Sequence, residues 1–231
     1  MKIKLIINQQ TYMISPATLR FLSSLKKNNN KEWFDKHKDE YLAAKENMEK
    51  CVGEVIRSIS SFDKPIGGLD PKKCVFRIYK DVRFSKDKTP YKVNMGASIN
   101  ANGKKAIEPG YYLHIEPGNS FLAGGMWMPP GEELKKIRQE IDYNSKPLKK
   151  TLANPAFKKY FGGLAPEYKL KTTPKGYDKE HPEIELLRHN SFIVWHKLPD
   201  KVITSQSFVK EIAKGAKIMK PFLDYLKVAI S

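Results

Sequence analysis

Residues 93–128, VNMGASINANGKKAIEPGYYLHIEPGNSFLAGGMWM, carry the strongest indication of the fold. Segments 93–99, 111–116 and 120–128 have the pattern of strands, and the turn sequences Asn102-Gly103 and Pro117-Gly118-Asn119 separate them. Strands joined by such tight turns predict an antiparallel meander. Residues 74–79 and 192–196 also have strand character, so the predicted antiparallel β-sheet has about four to six strands. Gly124-Gly125 inside one strand indicates a bulge or a close approach by other backbone.

Helical patterns flank these strands on both sides. Ser15-Pro16 predicts a helix start, and Asn30 is a candidate N-cap for a second, longer helix that completes an N-terminal helical hairpin. Residues 208–230 predict a long C-terminal helix with a kink at Pro221. The order of helices, strands and mostly helices predicts the α+β class. We expect residues 1–14 to be an N-terminal extension and residues 15–231 to form a single α+β domain.

Composition narrows the class of protein. The 231 residues include 40% apolar residues, too many for a disordered chain. No run of about 18 apolar residues occurs, and the amino terminus lacks a signal-peptide pattern, so no membrane partner is expected. Cys51 and Cys74, in a predicted helix and a predicted strand, have no metal or redox spacing and are expected to be buried thiols. These features predict a cytoplasmic protein.

The positive charge is concentrated in one part of the chain. The formal net charge is +17, from 42 Lys and Arg against 25 Asp and Glu. Residues 71–105 contain ten basic and two acidic side chains, a net +8, whereas residues 111–130 contain a single charged side chain, Glu116. This focusing favours a specific anionic ligand over a general role in solubility.

The densest stretch, RIYKDVRFSKDKTPYK at residues 77–92, combines cations, acids and hydroxyl groups. Guanidinium groups bind phosphate or carboxylate through two hydrogen bonds, and ammonium groups add positive charge. The candidate ligand-binding residues in this stretch are Arg77, Lys80, Arg83, Ser85, Lys86, Asp87, Lys88 and Tyr91. The alternative is a solvated loop in which acids and cations pair with each other.

At these residues the chain resembles the bacterial and fungal proteins of domain of unknown function family 2461. The resemblance lies in residues 21–34, 77–92, 110–117, 124–129 and 174–182, and it extends from Ser15 to the carboxyl terminus. Lys80 stands where family members often have Arg, which removes a bidentate contact, and Glu180 where Asp is usual. The resemblance implies no established activity.

Candidate groups for proton transfer lie in three places. Asp81 is part of the basic stretch, and His114 and Glu116 alternate with Tyr112 along one predicted strand face. The alternative for His114 is a partly buried histidine bonded to its neighbours. His181 lies in the loop of residues 174–182, beside Lys175 and Asp178, two further candidate ligand-binding residues. His181-Pro182 has the alternative role of capping the next helix.

These residues support two main hypotheses and a third, less specific one. The first is a pocket for a small phosphorylated or other anionic ligand, with or without catalysis, in which Asp81, His114, Glu116 or His181 transfers protons. The second is a nucleic-acid binding module, in which Lys and Arg contact phosphates and bases stack on the aromatic side chains of Tyr79, Phe84, Tyr91 or Trp127. The third is a protein-interaction module. Because no phosphate-binding loop, dinucleotide fingerprint or zinc-binding helix occurs, no cofactor and no metal site are predicted, and the sequence leaves the oligomeric state open.

Overall fold

The computed structural model describes residues 13–231. It is an α+β fold with one antiparallel sheet in the order β1-β2-β3-β4, so the predicted class and the predicted number of strands are confirmed. The strands are β1 (Met95–Ile99), β2 (Gly110–Ile115), β3 (Ser120–Met126) and β4 (Phe192–Leu198). The first three form the predicted meander, and β4 joins it after a long helical segment.

Helices make up most of the remaining described chain. They are α1 (Pro16–Lys27), α2 (Lys31–Lys36), α3 (Lys38–Ser60), α4 (Pro71–Cys74), α5 (Gly131–Asn144), α6 (Lys146–Ala153), α7 (Pro155–Phe161), α8 (Ile184–Leu187), α9 (Asp200–Ile203) and α10 (Phe208–Ile230). Two short 3₁₀ helices, Lys64–Ile66 and Pro166–Tyr168, lie between them. None of the helices in residues 13–231 combines the length and the apolar composition that a membrane span requires.

Local capping signals explain where the first helices begin. The Ser15 side chain accepts a hydrogen bond from the amide of Ala17, and Pro16 occupies the first turn of α1. The Asn30 side chain accepts from the amide of Trp33 and caps α2. Both predicted helix starts are therefore confirmed.

The prediction of one long second helix is wrong at one point. The helical segment is interrupted at His37, which separates α2 from α3. The His37 ring stacks on Trp33 with centroids 3.9 Å apart, and its Nδ1 lies 2.8 Å from the Trp33 carbonyl oxygen. The side chain thus shares the Trp33 carbonyl with the His37 amide at the point where α2 ends.

The predicted strand at residues 74–79 is also wrong. Asp70 and Pro71 start the short helix α4, which contains Cys74. The residues that follow make isolated bridges, Val75 with Ala97 on β1 and Tyr79 with Tyr91, because this segment changes its pairing partner after about four residues.

The register of the sheet divides its side chains between two faces. On β2, Tyr111, Leu113 and Ile115 are buried, whereas Tyr112 and His114 point to the opposite face. The long helices α3 and α10 pack against the buried face. The face that carries Tyr112 and His114 is called the outer face below.

Glycines allow α10 and β4 to approach β3 closely. A Cβ at Gly124 would lie 2.1 Å from the Met219 Sδ of α10. Gly125 has φ +120°, and a Cβ there would lie 1.9 Å from the Phe192 carbonyl oxygen on β4. The close approach predicted for Gly124-Gly125 is therefore present, with a helix on one side and backbone on the other.

Two further sequence predictions concern the chain's amino terminus and its thiols. Residues 1–12 of the predicted extension lie outside the described residues, whereas Ile14 is buried and its amide donates to the Ile203 carbonyl. Cys51 and Cys74 are free and buried, as predicted. Burial raises the pKa of the Cys51 thiol to about 12, so it stays protonated at neutral pH.

Buried His189 predicts a pH-dependent stability. It is 6% exposed, and burial followed by the charge of Lys169 lowers its pKa to about 4. The unfolded chain binds this proton near pH 6.5, so the free energy of unfolding should fall by about 2 kcal/mol between pH 7 and pH 5. Urea unfolding at both pH values measures the fall. His189→Gln should make it clearly smaller, and an undiminished fall in this variant would contradict the assignment.

Candidate functional site

The basic stretch forms a hairpin-like loop beside the sheet. Tyr79 and Tyr91 pair at its base, where the Lys80 amide donates to the Pro90 carbonyl at 2.9 Å and the Lys92 amide donates to the Ile78 carbonyl at 2.7 Å. Residues 80–90 between these contacts are called the basic loop below.

The base of the basic loop is anchored to the N-terminal helices. The Asn29 side chain donates to the Tyr91 carbonyl at 2.9 Å and accepts from the Tyr91 amide at 3.1 Å. Tyr91 is 4% exposed, and its ring stacks on Phe34 at a centroid distance of 3.9 Å. The structure therefore places Tyr91, a predicted ligand contact, in the core.

Within the basic loop, the acids are paired with the cations. Arg83 donates two hydrogen bonds to the Asp81 carboxylate, at 2.9 and 2.6 Å, and these bonds hold the pKa of Asp81 below its usual range. Lys80 donates to Asp87 at 2.7 Å, and this bond, together with the donors of Thr89, lowers the pKa of Asp87. These charges are satisfied inside the loop.

The other predicted residues of this stretch divide into two groups. Ser85 Oγ accepts from the Asp87 amide at 3.1 Å, and the Lys88 ammonium donates to the Val82 carbonyl at 3.0 Å. The side chains of Arg77 and Lys86 are exposed, and neither side chain has a hydrogen bond or ion pair with a residue in 13–231. Of the predicted cations here, these two remain unpaired in the described chain.

His114 and Glu116 lie together on the outer face and connect to Tyr112. His114 Nε2 is 3.2 Å from the Glu116 carboxylate, and His114 Nδ1 is 3.2 Å from the Tyr112 hydroxyl oxygen. Burial lowers the pKa of His114, with Glu116 acting in the opposite direction. In the neutral ring, Nε2–H donates to Glu116 and Nδ1 accepts from Tyr112, so the three side chains form one hydrogen-bonded chain.

This chain depends on the absence of a side chain at Gly96. A Cβ there would lie 2.5 Å from the Tyr112 hydroxyl oxygen. Gly96→Ala should displace that hydroxyl and remove its hydrogen bond to neutral His114, so the pKa of His114 should rise. NMR titration of the His114 ring measures the pKa. Ser98→Ala, on the same strand face, should leave it unchanged, and equal pKa values in both variants would contradict the argument.

The remaining predicted residues form a separate cluster around α5 and α8. His181 Nε2 is 3.0 Å from Asp142 Oδ1, and His181 Nδ1 accepts from the Glu183 amide at 3.0 Å. Asp178 accepts from the Glu180 amide at 2.8 Å, and Lys175 is exposed. None of these contacts involves the basic loop, and those of His181 agree with the alternative of a helix-capping role.

The outer face of the sheet forms a groove that the sequence did not predict. Its cavity of about 680 Å³ lies within the size range of small-ligand sites. The lining includes aromatic rings, two lysines, one carboxylate and a buried amide, which are Phe76, Tyr112, Phe121, Trp127, Tyr168, Lys92, Lys104, Glu108 and Asn100. This set of residues and its cavity are called the groove below.

Lys92 and Lys104 meet at one edge of the groove. Their ammonium groups lie 5.6 and 5.7 Å from the centre of the Phe76 ring. They donate to the carbonyls on either side of Phe76, Lys92 to Arg77 at 3.1 Å and Lys104 to Val75 at 2.6 Å. No carboxylate within residues 13–231 forms an ion pair with either lysine, so each keeps N–H donors for a ligand.

The groove contains functional candidates that the sequence analysis missed. Lys92 and Lys104 add to the local charge but are not among the predicted ligand-binding residues, and neither are Phe76 and Asn100. The available signal was the absence of an acidic neighbour, because each of these two lysines is at least four residues from the nearest Asp or Glu in the chain. Nothing in the sequence indicated that they share the Phe76 ring.

A family model described as "Conserved hypothetical protein (DUF2461)" matches residues 17–225. The chain belongs to this family. For the DUF2461 chain, no curated protein and no solved structure gave a match. The match includes both the basic loop and the groove, and the resemblance inferred from the sequence is confirmed. Within residues 13–231 the family fold brings together no group of three or more His, Cys, Asp or Glu side chains that could hold a metal ion.

Proposed function

We propose that this protein binds a small phosphorylated or other anionic ligand in the groove, with Lys92 and Lys104 as the anion contacts. The observation that carries the proposal is the pair of ammonium groups at the Phe76 ring, which have no carboxylate partner in the described chain. Charged hydrogen bonds from ammonium to phosphate are among the strong ones in proteins.

The energetics of this cluster favour an anion. Burial, followed by repulsion from Arg77 and Lys104, lowers the pKa of the Lys92 ammonium. Cations held together without a counter-charge cost free energy in the empty protein. A bound phosphate would remove that repulsion and would accept hydrogen bonds from both ammonium groups.

The same groove offers acid–base chemistry. Tyr112 lines it, and the hydroxyl of Tyr112 is bonded to His114, which is bonded to Glu116. As the Tyr112 oxygen takes a proton from the bound ligand, its own hydroxyl proton would pass to His114 Nδ1, and the resulting imidazolium would be stabilised by the Glu116 carboxylate. This arrangement supports extending the proposal from binding to catalysis of proton transfer on the bound ligand.

A thermal-shift screen at low ionic strength tests the proposal. The screen contains inorganic phosphate, pyrophosphate, sugar phosphates, nucleotides and dicarboxylates, with the neutral sugars as controls. At least one phosphorylated compound should raise the melting temperature, because a ligand that binds only the folded state stabilises it. The rise should be smaller at high salt. The absence of any shift across all anions would contradict the proposal.

A second candidate function is single-stranded nucleic-acid binding by the basic loop. The observation that favours it is Phe84, which is 96% exposed in this loop, with the Arg83 guanidinium 5.9 Å from its ring centre. An exposed ring among cations can stack on a base while the cations contact phosphates. Gel retardation of a 12-nucleotide single strand at about 50 mM salt tests this function. Phe84→Ala should abolish the retardation, and a wild-type protein that retards no strand would refute the candidate.

A further inference from the structure

We infer that the anionic ligand of the groove also carries a planar aromatic ring, so that the ligand class is the nucleotides. This inference rests on the proposed function and adds the part of the ligand that the lysines do not contact. It is carried by the arrangement of the groove away from Lys92 and Lys104.

The groove extends across the sheet, from the lysines beyond β1 to an aromatic end beside β3 and β4. Phe76 pairs with β1, whereas Trp127 directly follows β3 and Ile193 lies on β4. The segment containing Phe76, β1, β2 and β3 are separated by three strand spacings, which together span about 14 Å. A nucleotide reaches from one end toward the other, whereas inorganic phosphate occupies only the lysine end.

Between the two ends, two paired residues of the groove lining have no side chain. Gly110 and Gly125 are partners in the β2–β3 register, and both line the groove. A Cβ at Gly110 would lie 2.7 Å from the Asn100 Cβ. This strip of backbone presents no side chain to the groove, so a planar ring can lie against it.

A buried hydrogen-bond acceptor lies in the same region. Asn100 lines the groove and is 3% exposed, yet its Oδ1 has no hydrogen-bond partner in the described chain. Leaving such an acceptor unpaired is costly, and native proteins rarely do so. The ring and exocyclic N–H groups of a nucleobase supply the missing donor, whereas a sugar phosphate has no base to supply it.

The aromatic end is held in an unusual backbone conformation. Met128 has φ 46°, and it is the one non-glycine residue in 13–231 with a positive φ. Its amide donates to the Oγ of buried Ser191 at 2.8 Å, which fixes the turn. This turn leaves the neighbouring Trp127 67% exposed at the groove. A large ring kept in solvent at a binding site is available to stack on a base.

Isothermal titration calorimetry tests the inference with adenosine, guanosine and uridine 5′-monophosphates, ribose 5-phosphate, pyrophosphate and adenosine. At least one nucleotide should bind 10-fold or more tightly than ribose 5-phosphate and than adenosine. Trp127→Ala and Asn100→Ala should each weaken that nucleotide at least 5-fold and leave ribose 5-phosphate within 2-fold. Trp195→Ala, an exposed tryptophan on the same face outside the groove lining, is the matched control and should change neither affinity.

The outcomes separate this inference from the proposed function. If ribose 5-phosphate or pyrophosphate binds as tightly as every nucleotide, the anion site stands and the aromatic ligand class is wrong. If no phosphorylated compound binds, the proposed function itself fails. If a nucleotide binds but Trp127→Ala has no effect, the base lies elsewhere and the inference is also wrong. Because Trp127 is largely exposed, its variant remains informative even if Asn100→Ala impairs folding.

Discussion

The double variant Lys92→Gln, Lys104→Gln is expected to bind phosphorylated ligands at least about 100-fold more weakly than the wild type. A hydrogen bond to a charged group contributes about 1.5–3 kcal/mol, so each lysine accounts for about 10-fold or more. The free energy of unfolding should change much less than the ligand affinity. The variant loses two hydrogen bonds to backbone carbonyls but also the repulsion among Arg77, Lys92 and Lys104. The free energy of unfolding should therefore change by less than about 1 kcal/mol.

A second double variant provides the matched control. The variant Lys86→Gln, Lys88→Gln also removes two positive charges, but from the basic loop. There the Lys88 ammonium contacts a carbonyl of its own loop. It should weaken ligand binding less than about 3-fold, through long-range electrostatics alone. Calorimetric titration gives the affinity, and urea unfolding gives the stability. Equal losses of affinity in the two double variants would show that the groove lysines have no special role.

Gly125→Ala is expected to destabilise the fold strongly. The glycine has φ +120°, which side chains rarely adopt, and a Cβ would lie 1.9 Å from the Phe192 carbonyl oxygen and 3.0 Å from the Ile193 Cα. Both obstructing atoms belong to the backbone of β4, so relief requires separating paired strands. We expect a loss of about 4 kcal/mol or more, a large part of the stability of an ordinary domain.

Gly118→Ala is the control for the backbone conformation alone. Gly118 has φ +74°, but nothing lies within 4 Å of a Cβ built there. Its substitution should cost only about 1–2 kcal/mol, the penalty of the left-handed region. Urea unfolding measures the free energy of unfolding of both variants. If the Gly125→Ala protein is insoluble while the Gly118→Ala protein is soluble, that result also agrees with the prediction. Similar losses in the two variants would contradict the close strand approach as the cause.

The meander and the first helix starts were predictable because their signals are local. The two turn sequences between the strands act within a few residues, as do the caps Ser15 and Asn30. The break at His37, where the ring stacks on Trp33, was not predictable from the apolar periodicity. Residues 74–79 have the alternating pattern of a strand, but Asp70 and Pro71 start a helix that includes Cys74. The pairing partner of the following residues then changes between Val75 and Tyr79.

The site was predictable in region but not in detail. Concentrated charge pointed to residues 71–105, and the groove lysines come from this part of the chain. Which of these cations can contact a ligand depends on whether the fold gives them a carboxylate partner. Arg83 has its carboxylate two residues away in the chain, whereas Lys92 and Lys104 meet only because the fold brings both to Phe76. Sequence spacing gives no measure of such long-range convergence.

The most direct test of the anion site is a crystal structure of the protein with a phosphorylated ligand from the thermal-shift screen. The proposal predicts that the phosphate lies in the groove, with oxygen atoms within about 3 Å of the Lys92 and Lys104 Nζ atoms. It also predicts that the basic-loop pairs Asp81–Arg83 and Lys80–Asp87 stay intact. A phosphate bound to the basic loop, with the groove lysines still contacting only backbone carbonyls, would contradict the proposal.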